Sequence, residues 1–138
     1  MNRPPATSPF RTTLGVGPAD TGTARSAFVA WMGGAGVDDD VAGELAVVFS
    51  ELAANAAKAS PPSDDPAKVA AWTEPDSVVI EVSNRVGTVP RRRPRWDLSD
   101  PLRSGGRGLM IVRAYTDDIA FQATGDTVVV RCRRLLSH

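Results

Sequence analysis

Residues 38–60, DDDVAGELAVVFSELAANAAKAS, decide how this chain folds. The run reads as one helix of about six turns. Asp38, Asp39 and Asp40 crowd its start, where the helix dipole favours negative charge. Ser60-Pro61-Pro62 ends it, because a residue before proline is pushed out of the helical region and proline cannot continue the ladder. At about 100° per residue, Val41, Leu45, Val48 and Leu52 share one apolar stripe, with Phe49 on its flank. Glu51, Asn55 and Lys58, spaced i, i+4, i+7, form a polar stripe beside it. By spacing alone such a row is most often a solvated face, and Asp40 and Glu44 lie on it too. An acid, an amide and a cation at the edge of a buried face become a candidate site only in combination with other motifs.

The composition narrows the chemistry. With 138 residues, 42% hydrophobic and 23% charged, the chain reads as one soluble domain with a real core. Residues 1–9, MNRPPATSP, read as a disordered tail and 10–138 as the single domain. Sixteen basic and sixteen acidic residues cancel, so no overall field steers it to nucleic acid or an anionic membrane. No apolar run approaches the roughly 20 residues of a membrane span, and no basic-then-apolar leader is present, so the expected location is the cytoplasm. Cys132 is the only cysteine, which excludes an internal disulfide and a cysteine metal cluster. The only histidine is His138, which removes serine-hydrolase triads, histidine-ligated zinc and a histidine phospho-acceptor inside the fold. Carboxylate, amide, lysine and backbone chemistry remain.

Outward from the central helix, Phe10 to Val16 reads as a short edge strand. A helix follows from Pro18 to about Gly33, stopped by Gly33-Gly34-Ala35-Gly36. Lys68–Thr73 and Ser77–Asn84 form a hairpin around Glu74-Pro75-Asp76, with Val78, Ile80 and Val82 on one face. Gly87 to Ser104 has no hydrophobic period, which in a small domain marks a functional lid or a disordered segment. Gly105-Gly106-Arg107-Gly108 opens a helix to about Tyr115; a glycine-rich turn at a helix start suits phosphate. A second hairpin, Ile119–Ala123 and Thr127–Leu135, ends the chain. Helices set apart from hairpins predict an α+β, two-layer α/β sandwich: a mixed, mostly antiparallel sheet with helices on one face.

Helix Glu-x-x-x-Asn, hairpin, lid and Gly-x-Gly-Leu occur here in that order. This arrangement resembles the GHKL ATPase superfamily (the Bergerat, histidine kinase-like ATPase fold), and most nearly its small bacterial anti-sigma-factor serine/threonine kinases. SELAANAAK is similar to their N-box, and GGRGLMIVRAYTDDIAF to their second glycine box and the strand after it. The likeness runs from Phe10 to about Leu135.

The resemblance implies a role for each group. Asn55 would ligate Mg²⁺ through its amide oxygen, a hard neutral ligand. Glu51 would act as general base on the attacking hydroxyl or orient it. Lys58 would face the phosphates; Gly106, Arg107 and Gly108 would bring the backbone to them, with Leu109 packing behind. Thr127 would contact the adenine end. In the first glycine box the family's Asp-x-Gly-x-Gly is replaced by Ser83-Asn84-Arg85-Val86-Gly87, with Asn84 at the aspartate position and Gly87 the one remaining glycine. Asn84 can still accept from adenine, but without charge and so more weakly. Ala59 stands where many relatives carry histidine.

The implied function is a kinase that binds ATP and Mg²⁺. It would phosphorylate an anti-sigma-factor antagonist of STAS type and sequester a sigma factor, as a homodimer. A non-catalytic partner-binding module with an eroded nucleotide site is the alternative. The basic run Arg91 to Arg95 lacks the interleaved aromatics of a nucleic-acid site; it reads as solvated loop first, then as a lid over triphosphate or a patch for an acidic partner. Cys132, facing as Val128 and Val130 do, reads as a small core residue.

Overall fold

Asp38 begins the central helix by capping it. Its Oδ2 accepts the Asp40 N–H at 3.1 Å and its carbonyl accepts the Ala42 N–H at 2.8 Å, satisfying donors that a helix start leaves open. The computed structural model describes residues 8–14, 18–59, 66–85 and 101–136, and the side chains of 18–20, 57–59 and 101–107 are not among them. Residues 1–7 of the expected tail (1–9), the loop at 60–65 and residues 87–100 of the expected lid (87–104), with Gly87 and the arginine run, lie outside the described residues, while the last four lid residues, 101–104, are helical.

The elements are β1 (Phe10–Thr13), α1 (Pro18–Gly34), α2 (Asp39–Ala59), β2 (Lys68–Glu74), β3 (Ser77–Arg85), α3 (Pro101–Tyr115), β4 (Asp118–Thr124) and β5 (Thr127–Leu135). They follow the predicted order. α1 stops where Gly36 takes φ 82°, so that the Val37 N–H reaches the Met32 carbonyl at 3.0 Å and the Gly36 N–H the Gly33 carbonyl at 3.2 Å. Glycine adopts that left-handed conformation without strain. Gly125, at φ 62°, makes the β4–β5 turn in the same way.

The strands form one sheet in the order β1-β2-β3-β5-β4. Every described pairing is antiparallel, where a mixed sheet was expected. The reason is the position of β4. The crossover through α3 makes β4 run parallel to β3, but β5 folds back between them, so the two never pair.

The register sets the faces. Val78, Ile80 and Val82 of β3 pair with Arg134, Cys132 and Val130 of β5 and look toward the helices. They join one core with Leu45, Val48, Phe49, Leu52 and Ala56 of α2 and Leu109 and Val112 of α3, all buried. Each large side chain buried there contributes about 1.5–3 kcal/mol. The Phe28 and Phe49 rings stack at 5.0 Å, and Phe10 lies 5.6 Å from Phe28, tying β1 and α1 to α2. Arg134 donates to Glu44 Oε1 at 2.7 Å and to the Tyr115 carbonyl at 3.0 Å, joining β5 to α2 and to the negative end of α3.

Among the described residues the opposite face carries no helix, yet Val79 is only 3% exposed. In the register it lies between Trp72 and Arg133. Arg131 stands 5.6 Å over the Trp72 ring while paired with Glu81, and Arg133 pairs with Asp118. Such exposed pairs contribute little each, but long basic side chains screen apolar surface. Among the described residues, no helix is long and apolar enough to cross a membrane.

α3 departs from the sequence reading. It begins at Pro101, four residues before the glycine run, because proline's fixed φ suits a first helical residue. Gly105 to Gly108 therefore lie inside α3 and not ahead of it.

Candidate functional site

Glu51 and Asn55 of the polar stripe of α2 face α3. Asn55 is 7% exposed and Glu51, one turn earlier, is half-buried. α3 crosses them at Gly108. A β-carbon placed on Gly108 would stand 2.6 Å from Glu51 Oε1 and 3.4 Å from Asn55 Nδ2. The carboxylate thus occupies the space that any other residue at 108 would fill. Leu109, the next residue, is fully buried in the core and fixes the register of the crossing. The structure brings Glu51, Asn55 and Gly108 together, with Leu109 behind them.

Lys58 follows two turns after Glu51 on α2, its side chain outside the described set. Gly106 and Arg107 fall in the second turn of α3. There backbone N–H groups are engaged by carbonyls four residues back, so in this conformation the run does not present the donor cradle that the sequence suggested.

Asn84 is the last inward-facing residue of β3, following Val78, Ile80 and Val82, and is 4% exposed. Its Nδ2 donates to the Arg85 carbonyl over a long 3.5 Å. Thr127 is not brought to it. Thr127 pairs with Arg85 and Val128 pairs with Asn84, so strand alternation turns Thr127 to the helix-free face. Its hydroxyl lies 3.5 Å from Asp126 Oδ1.

Arg85 ties this end of the sheet together, donating to Asp126 Oδ2 from Nε at 3.0 Å and from Nη2 at 2.7 Å. That hydrogen bond, against a smaller opposing effect of desolvation, holds the Asp126 carboxyl below its ordinary value of 3.8. Nothing in the sequence marked this pair, because its partners are 41 residues apart and meet only through the register. A cavity of about 380 Å³ opens elsewhere, lined by Arg11, Thr13, Lys68 and Ser83 on the helix-free face, so it is separate from the Glu51–Asn55 cluster.

A hard amide oxygen, a carboxylate one turn away and a facing residue without a side chain form a donor set that fits a magnesium-bound phosphate chain. The sequence matches the family described as histidine kinase-like ATPase domain over residues 16–133. No curated protein matches it. The fold is similar to that in the crystal structure of the RsbU and RsbW domains of Rv1364c from Mycobacterium tuberculosis, with a TM-score of 0.68 and 20% identity. That match covers 94% of this chain and 33% of the other, so this chain spans about a third of the chain it matches. It is also similar to a chain of the SiaB-SiaC complex from Pseudomonas aeruginosa, with a TM-score of 0.62, 13% identity, and 95% and 91% of the two chains covered. With its sequence matched over residues 16–133 and its fold shared with these structures, this chain belongs to the histidine kinase-like ATPase domain family.

Proposed function

We propose that this chain binds Mg·ATP between α2 and the start of α3 and transfers the γ-phosphoryl group to a serine or threonine hydroxyl of a partner protein. The observation that carries the reading is the convergence of Glu51 and Asn55 on Gly108. Glu51 accepts the hydroxyl proton as the hydroxyl oxygen bonds to the γ-phosphorus and the bond to the bridging oxygen of ADP breaks. Asn55 would hold Mg²⁺ through its amide oxygen; when bound, the ion neutralises phosphate charge. Lys58 and the backbone of Gly106, Arg107 and Gly108 would receive the phosphates once the first turns of α3 give way. Asn84 reads the base. Thr127, turned to the other sheet face, has no part in this site.

The partner class follows from the resemblance to anti-sigma-factor kinases, with the likeness to an RsbW domain and to SiaB supporting it at the level of fold. The acceptor would be an anti-sigma-factor antagonist of STAS type. A homodimer of this chain would hold a sigma factor until antagonist and nucleotide state release it.

A second reading, a non-catalytic partner-binding module, is favoured by two observations. Asn84 replaces an acid, and the glycine run is wound into α3. Calorimetric titration with Mg·ATP separates the two. Saturable one-to-one binding that Asn55→Ala abolishes supports the kinase; a folded protein that binds no nucleotide at millimolar concentration leaves the binding module.

A further inference from the structure

We infer that the cavity over β1, β2 and β3, on the helix-free face of the sheet, is a second binding site, for a small phosphate monoester. It goes beyond the proposed function and does not depend on it. In the register Lys68 stands between Thr13 of β1 and Ser83 of β3. Two residues along, the next row on the same face is Arg11, Ala70 and Glu81. All six line the cavity of about 380 Å³. That volume suits a small organic ligand.

The donors converge on one spot. Directly opposed side chains on neighbouring strands have β-carbons about 4.5–5.5 Å apart, and diagonal ones lie about 7–8 Å apart. The Lys68 ammonium, the diagonal Arg11 guanidinium and the hydroxyls of Thr13 and Ser83 can therefore reach a single group between them. Among the described residues none of these four side chains makes a hydrogen bond or an ion pair. The carboxylate in the cavity is already taken: Glu81 Oε2 accepts Arg131 Nε at 2.8 Å and Arg131 Nη2 as well. Two neighbouring cations with no acid between them repel, and an anion that joins them removes the repulsion. Four donors spread over three strands suit a tetrahedral phosphate, with several oxygens to satisfy, better than a planar carboxylate with two. Ala70, small and set beside Arg11, leaves the hollow open. With the aliphatic stems of Arg11 and Lys68 it offers apolar surface to the organic part of an ester. The sheet separates this cavity from Glu51 and Asn55, so either site can fill without the other.

The test is an NMR titration of the full chain, without nucleotide and at fixed ionic strength in chloride, with phenyl phosphate, inorganic phosphate and benzoate. Phenyl phosphate is expected to shift the amides of residues 11–13, 68–70 and 81–83 saturably, with a Kd of about 1 mM or tighter. Inorganic phosphate should bind at the same amides several-fold more weakly, lacking the apolar body, and benzoate more weakly than phenyl phosphate, lacking the third oxygen. Lys68→Ala and Arg11→Ala should each weaken phenyl phosphate by about tenfold or more, the scale of a lost charge-assisted hydrogen bond. Both side chains are exposed, so the spectra away from the cavity should stay unchanged and report an intact fold. No saturable shift at these amides by about 20 mM ligand, or wild-type affinity in Lys68→Ala, overturns the inference. Benzoate or inorganic phosphate binding as tightly as phenyl phosphate overturns the assignment to a phosphate ester. Shifts confined to α2 and α3 put the phosphate at the proposed nucleotide site; they overturn this inference and leave the kinase reading standing.

Discussion

Gly108→Ala separates stability from chemistry. In a helix interior alanine is favoured over glycine by about 1 kcal/mol, so the substitution on its own strengthens α3. The added β-carbon meets Glu51 Oε1 at 2.6 Å. Ordinary contact begins at about 3.5 Å, so the carboxylate must retreat by roughly 1 Å. Asn55 Nδ2, at 3.4 Å, needs almost no adjustment. Because Oε1 is the far end of a flexible side chain, the retreat costs less than the helix gains, and the melting temperature should hold or rise by a few degrees. A displacement of about 1 Å in a reacting group can lower a rate by about a hundredfold. Phosphoryl transfer to the partner should therefore fall by that order, with thermal unfolding as the parallel assay. Glu51→Gln supplies the control: the double variant should be no slower than Glu51→Gln alone, since both act through one carboxylate. A melting temperature lowered by many degrees, or a transfer rate equal to wild type, would refute the argument.

Four further outcomes are expected. Leu52→Ala empties a fully buried position on α2 and should lower urea-measured stability by about 2–5 kcal/mol. Burial pushes the Cys132 thiol up from 9.0 to about 12, so between those values the unfolded chain loses a proton that the folded chain keeps. Stability should fall as pH rises through that window, and a thiol reagent should label Cys132 only on unfolding. Asp126 is shifted the other way. Its contribution is present above pH 3.8 and is lost as pH falls below it, and Arg85→Gln should return its carboxyl titration, followed by NMR, toward 3.8. The first turns of α3 carry Gly105, Gly106 and Gly108, each weakening a helix by about 1 kcal/mol, so amide exchange at residues 101–108 should change on adding Mg·ATP. Unchanged exchange in a nucleotide-bound protein would show that phosphate binding leaves these turns wound.

Particular residues show where reading from the sequence stopped. The Glu51–Asn55 row was legible because a helix has one period and both residues sit on the same element. The acidic start at Asp38 and the glycine stop at Gly36 were legible for the same local reason. The start of α3 was misplaced because the glycines are poor helix formers by propensity, whereas Pro101 supplies a start and Leu109 and Val112 anchor the helix in the core. Thr127 was grouped with Asn84 by resemblance, and the strand register separates them.

By itself the sequence determined the order of elements, the apolar stripe of α2, both hairpin turns and the candidate acid and amide, because each depends on residues within a few turns or a few bonds of one another. Only the tertiary structure decided that Gly108 seats the Glu51 carboxylate, that Arg85 clasps Asp126, and that β5 lies between β3 and β4 and makes every described pairing antiparallel. Those facts belong to pairs of elements. They arise when apolar faces distant in the chain are buried against each other, and periodicity along one segment says nothing about which partner it meets.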